Sequence, residues 1–174
     1  DTAVTQLLGG TAKVEKAAFT DRRRTIGQAV GPALELLAKQ SYTFIRVGGC
    51  NSCHAQDLPS AAVGIAKSRG LPAPKEIPML PRSQTALNPS RWMDLVVVSP
   101  SDPAWQLFNA AMNGAPRDEY TDAAVRYLKN LQSSSGAWEM PTSRRPPMIG
   151  GAIQVTALAV HGLRQYGPPS EKAD

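Results

Sequence analysis

Residues 125–138, with the sequence V-R-Y-L-K-N-L-Q-S-S-S-G-A-W, decide the fold that the sequence predicts. Val125, Leu128 and Leu131 recur at intervals of three residues, which places them on one face of a helix. A loop rich in Ser, Pro and Gly follows, over residues 133–150. The stretch therefore predicts a helix that begins near Thr121 and ends in a long loop.

The same apolar spacing recurs in four other segments and predicts a helix in each of them. These helices are expected over residues 27–44, 61–69, 101–114 and 152–166. The only candidate for a strand is the short apolar run from Leu95 to Val98. The sequence therefore predicts an all-α fold.

The domain organisation follows from where the helical pattern begins and ends. We predict a polar N-terminal arm over residues 1–24, a single helical domain over 25–169 and a tail over 170–174. Within the domain, residues 71–91 hold five prolines and are expected to be irregular.

An internal repeat suggests how the helices pack. Residues 33–70 and 125–167 share one order: helix, glutamine, long loop, helix, glycine. Leu36-x-x-x-Gln40 in the first copy matches Leu128-x-x-x-Gln132 in the second. Each helix pair exposes an apolar face that only a neighbour covers, so we expect helix-pair repeats around a common core.

The pattern Tyr127-Leu128-x-x-x-Gln132-x-x-x-Gly136-x-Trp138 resembles the QW motif of the squalene–hopene cyclase and prenyltransferase α/α-toroid family. The resemblance covers residues 115–169 and implies a partial toroid in which Trp138 is buried next to Gln132. The catalytic Asp-x-Asp-Asp cluster of that family has no match, the nearest acids being Asp118, Glu119 and Asp122. The resemblance therefore implies a fold and not cyclase chemistry.

The stretch Cys50-Asn51-Ser52-Cys53-His54 indicates a specific cofactor chemistry. In a C-x-x-C-H motif the two thiols add to the vinyl groups of a haem, and the imidazole becomes the proximal iron ligand. The chain has no other cysteine. We therefore predict one covalent haem c on Cys50, Cys53 and His54. The alternatives are a redox disulfide, which normally opens a helix in a βαβ pattern, and half of a zinc site.

The motif also resembles that of c-type cytochromes, and this resemblance implies a rival fold. A helix before the motif, together with the stretch from Asp122 to Leu128 near the end of the core, is similar to a small class I cytochrome. Both folds are all-α, and the repeat favours the toroid.

The sixth iron ligand is not fixed by the motif. The repeat aligns the loop over residues 133–150 with the loop that carries the motif, which favours Met140 and then Met148. His161 is a further candidate, and Met112 becomes one in the class I fold. Each of these side chains is equally compatible with ordinary packing, and an open position or a ligand from another chain is a further possibility.

The charges suggest contacts but no specific surface. Arg144 and Arg145 lie in the same loop as Met140 and are candidates to pair with haem propionates, or to be solvated loop residues. The net charge is +5 and the basic residues are spread along the chain, which fits an acidic partner, an anionic membrane surface or ordinary solubility. We expect no nucleic-acid partner.

The sequence thus predicts a monohaem c-type cytochrome that carries single electrons between redox proteins, and not an enzyme. Its alternatives are an assembly subunit of a larger membrane redox complex, and a haem enzyme or gas sensor with an open iron site. Haem is attached to such motifs outside the cytoplasm, so we expect a periplasmic or other extracytoplasmic protein, with a leader removed or absent from this sequence. We expect no transmembrane segment, because the longest apolar run is too short.

Overall fold

Five α-helices account for most of the chain that the computed structural model describes, namely residues 24–49, 52–80, 100–140 and 151–171. No strand occurs in these ranges, so the predicted all-α class is confirmed. A π-helical turn, Cys53–Asp57, precedes the second helix, and a 3-10 turn, Pro169–Glu171, follows the last. The helices are α1 (Ile26–Gly48), α2 (Leu58–Ser68), α3 (Ser101–Met112), α4 (Glu119–Leu131) and α5 (Ala152–Tyr166).

Several sequence predictions fall outside the described residues. They are the N-terminal arm up to residue 23, the candidate strand near Leu95, the later part of the Pro-rich segment, and the tail from residue 172. The described part of the Pro-rich segment, residues 71–80, has no regular secondary structure, as predicted.

Two helices begin where a capping box satisfies their first backbone amides. In α1 the Thr25 hydroxyl accepts from the Gln28 N–H (3.2 Å), and the Gln28 side chain accepts from the Thr25 N–H (3.0 Å). In α4 the Asp118 carboxylate accepts from the Thr121 N–H (2.9 Å), so this helix begins two residues before the predicted Thr121. α1 continues four residues past the predicted end and stops at Gly49, whose φ of 65° favours glycine.

α3 lies at the centre of the larger core cluster. It packs most extensively on α5 and also contacts α2 and α4. Leu107 is fully buried and meets α5 at Gly162, where a Cβ would lie 2.9 Å from the Leu107 Cβ. The buried members of this cluster are Ala104, Trp105, Leu107, Ala110, Ala124, Val125, Leu128, Trp138, Val155, Leu158, Ala159 and Tyr166.

A smaller core cluster fills the space between α1, α2 and the segment that follows α2. Its buried members are Leu34, Val63, Ala66 and Ile77. α2 also contacts α3, and the approach is close at Gly64, where a Cβ would lie 2.3 Å from the Met112 carbonyl oxygen. α2 is therefore the element that connects the two clusters.

Trp138 is buried, as predicted, and it joins α4 to α5. Its indole Nε1 donates to the Leu128 carbonyl (2.7 Å), and its backbone N–H donates to the Thr156 hydroxyl (3.0 Å). The Gln132 side chain is exposed and donates to the Gly136 carbonyl (2.9 Å) within its own loop. The toroid arrangement and the pairing of repeats stay predictions.

No helix in the described ranges has the length and apolar character needed to cross a membrane.

Candidate cofactor site

The π-helical turn Cys53–Asp57 carries the histidine of the motif. The Ser52 carbonyl accepts from both the Gln56 N–H (3.0 Å) and the Asp57 N–H (3.2 Å), which widens the turn by one residue. Single π-helical turns are uncommon and often occur at functional sites. The turn leads directly into α2, so the position of His54 is fixed relative to that helix.

His54 is exposed and lies beside α1. Its ring centroid is 5.6 Å from that of Phe44, with the rings 81° apart, an edge-to-face contact. A cavity of about 490 Å³ adjoins the two rings. This volume is within the range of roughly 300–1,000 Å³ typical of small-molecule and cofactor sites. The described residues that line it are Leu37, Gln40, Thr43, Phe44, Val47, Gly48, His54, Ala55 and Pro59.

Hydrogen bonds from buried polar side chains fix the turn to α1. The Gln56 side chain is fully buried; its Oε1 accepts from the Ser52 N–H (2.8 Å), and its Nε2 donates to the Ser41 carbonyl (3.0 Å). The single proton of the buried Ser41 hydroxyl has two acceptors within reach, the Ala55 carbonyl and the Leu37 carbonyl (2.8 Å from Oγ). The backbone on the C-terminal side of His54 is therefore held by α1.

Two carboxyl groups lie close together where the turn meets α3, one on Asp57 at the end of the turn and the other on Asp102 in α3. The Asp57 side chain is buried, and the Asn109 amide lies 3.4 Å from its Oδ1. Burial and, second, the nearby Asp102 carboxyl raise the pKa of Asp57 from 3.8 to about 7, against the hydrogen bond from Asn109, which lowers it. Burial also raises the pKa of Asp102.

The raised pKa of Asp57 predicts a stability that depends on pH. Between about pH 4 and about pH 7 the folded chain holds a proton that the unfolded chain releases, so the free energy of unfolding decreases as the pH rises through this window. Asp57→Asn keeps the shape without the charge. We expect it to weaken this pH dependence and to stabilise the fold above neutral pH, as measured by urea unfolding at about pH 5 and about pH 8.

Asp122→Asn is the matched control for this experiment, because Asp122 pairs with Arg117 at the surface. This variant should retain the decrease seen in the wild type. An unchanged decrease in Asp57→Asn would show that another group is responsible.

The predicted site residues occupy different parts of the fold. Met140 packs against the larger core cluster. The ring centroids of His161 and Phe108 are 5.2 Å apart. Neither side chain is among the described residues that line the cavity at His54. Met112 is the last residue of α3 and lies against Gly64. The sixth ligand stays a prediction.

The remaining predicted residues are not described. Cys50, Arg144, Arg145 and Met148 lie outside the described ranges, and of Cys53 only the backbone is described. Within those ranges no group of three or more His, Cys, Asp or Glu side chains is arranged to hold a metal ion.

Four side chains of the site carry no signal in the sequence that singles them out. Phe44 reads as the end of an amphipathic helix, and Ser41 as a polar residue within it. Gln56 and Asp57 read as solvated residues before the start of α2, yet both are buried. Asp57 stands at the N-cap position of α2 but makes no capping hydrogen bond.

No protein-family model, curated protein or solved structure matches this chain. Its function is therefore inferred from the motif and from the surroundings of His54.

Proposed function

We propose that this chain is a monohaem c-type cytochrome that carries single electrons between extracytoplasmic redox proteins. The observation that supports it is the position of His54. This residue directly follows Cys53 in the motif, and its imidazole borders an apolar cavity of about 490 Å³. A c-type haem needs a ligand and an apolar surface side by side.

The residues present fit such a group. Cys50 and Cys53 would hold it covalently, and His54 would be its iron ligand. Leu37, Phe44 and Val47 supply apolar contact surface in the cavity. Haem supplies reversible one-electron chemistry when it is bound.

The chain tunes that chemistry through the surroundings of His54. With a haem bound, the apolar lining would disfavour the more highly charged oxidised iron and so would raise the reduction potential. Since His54 and Val47 are exposed, this side of the molecule is open to a partner. A single haem carries one electron, so a donor and an acceptor are both required, and the net charge of +5 favours acidic partner surfaces.

Covalent attachment is the direct test of the proposal. Denaturing mass spectrometry of the chain, purified from cells that attach haem, is expected to give the polypeptide mass plus one haem. Cys50→Ala together with Cys53→Ala should give the bare polypeptide mass, because no thioether can form. Asn51→Ala, between the two cysteines, keeps the motif and should retain the haem. A wild-type chain of bare mass that holds zinc or a disulfide would contradict the proposal.

An optical spectrum of the same reduced protein separates electron transfer from an open iron site. A low-spin spectrum that does not change with CO indicates a second protein ligand and favours the electron carrier. A high-spin spectrum that changes with CO favours a haem enzyme or a gas sensor.

Exposed apolar side chains favour a second candidate, an assembly subunit of a larger redox complex. Ile26, Val47 and Ile153 are 71%, 79% and 90% exposed. Covering these side chains with a neighbouring subunit would remove apolar surface from water and so stabilise an assembly. Under this function the double cysteine variant still assembles with its complex and leaves the electron flux intact, whereas loss of flux in an assembled complex favours the carrier.

A further inference from the structure

We propose that Gln56 is a positioning residue of the cofactor site, which together with Ser41 holds His54 in one orientation beside the cavity. This inference rests on the proposed function. Gln56 does not line the cavity, so its effect on the site is exerted through the backbone of the turn.

The side-chain amide of Gln56 connects the turn to two other parts of the structure. Its Oε1 accepts from the backbone N–H of Ser52, the residue before Cys53, and its Nε2 donates to the Ser41 carbonyl on α1. Gln56 is itself a residue of the π-helical turn. A buried amide that loses a partner incurs the full desolvation cost, so the turn is stable only where both ends of the amide are bonded.

α1 holds three consecutive residues of the turn. The Ser41 hydroxyl donates to the Ala55 carbonyl, and the Ser41 carbonyl accepts from the side-chain amide of Gln56. Phe44, less than one helical turn further along α1, contacts the ring of His54. These contacts restrain the backbone after His54 and the ring itself, which a ligand with a fixed orientation requires.

The experiment compares four variants of the full holoprotein with the wild type. Gln56→Ala removes the amide, and Ser41→Ala removes the hydroxyl bond to Ala55. Ser41→Thr retains a hydroxyl and should restore the wild-type behaviour. Gln132→Ala is the matched control, because the Gln132 side-chain amide also donates to a backbone carbonyl, that of Gly136 in the same loop, but the side chain is exposed.

The readouts are the midpoint potential and the electron paramagnetic resonance spectrum of the oxidised protein. We expect Gln56→Ala and Ser41→Ala to shift the potential and to add a second low-spin signal, because His54 then adopts more than one orientation. Ser41→Thr and Gln132→Ala should match the wild type. Wild-type potential and spectrum in folded Gln56→Ala and Ser41→Ala would overturn the inference, whatever their thermal stability.

An apoprotein measurement separates this inference from the proposed function. Proton nuclear Overhauser contacts between the rings of His54 and Phe44 are expected in the wild type and in Gln132→Ala, and should be lost in Ser41→Ala. If the wild-type chain acquires no haem in cells that attach it and nevertheless shows this pattern, the proposed function is refuted and the positioning role is retained. Ring contacts retained in Ser41→Ala would refute the positioning role. This measurement can be made even if Gln56→Ala does not fold.

Discussion

Trp138→Ala should destabilise the folded chain by about 3–5 kcal/mol, the range observed when a buried tryptophan is truncated. The side chain is 1% exposed and belongs to the larger core cluster. Its removal leaves a cavity and also deletes the indole hydrogen bond to the Leu128 carbonyl near the C-terminus of α4. Because Trp138 joins α4 to α5, urea unfolding should report this loss directly.

Trp138→Phe separates packing from hydrogen bonding. It keeps most of the apolar volume but not the donor, so a loss of about 1–3 kcal/mol is expected. Tyr42→Ala is the control for removing an aromatic side chain, since Tyr42 is 59% exposed on α1. A loss in Trp138→Ala no larger than that in Tyr42→Ala would contradict the packing described for α4 and α5.

Gly64→Ala is expected to cost about 3 kcal/mol, near the upper end of the usual range for overpacking. The new Cβ would lie 2.3 Å from the Met112 carbonyl oxygen and 2.7 Å from the Met112 carbonyl carbon. These are backbone atoms of α3, so no side chain can rotate to make room, and α2 must move away from α3. The urea midpoint should fall accordingly.

Gly27→Ala provides the matched control for Gly64→Ala. Gly27 also lies in a helix, but its Cβ would meet only Pro72 Cδ at 3.8 Å, an ordinary contact. Alanine has the higher helix propensity, so this variant should be neutral or stabilising by up to about 1 kcal/mol. Equal losses in the two variants would mean that the close approach of α2 and α3 is not what makes Gly64 necessary.

The helices could be predicted from sequence because their signals are local. Apolar spacing locates all five, and α5 was predicted at its observed bounds, Ala152–Tyr166. The errors lie at helix ends, because capping hydrogen bonds decide the residue at which a helix begins or ends. Asp118 begins α4 two residues before the predicted start, because its carboxylate satisfies the Thr121 N–H. The burial of Trp138 was predicted from a resemblance, and its hydrogen-bond partners were not.

The sequence alone determined the helical class and supplied the motif on which the proposed chemistry rests, because periodicity and the C-x-x-C-H spacing depend only on neighbouring residues. Only the tertiary structure decided what surrounds His54. The cavity, the bonds of Gln56 and Ser41, and the burial of Asp57 beside Asp102 all join residues from separate elements. Whether a polar side chain is solvated or buried depends on which helix packs over it. Local spacing carries no information about that, so Gln56 and Asp57 read as ordinary loop residues until α1 and α3 are in place.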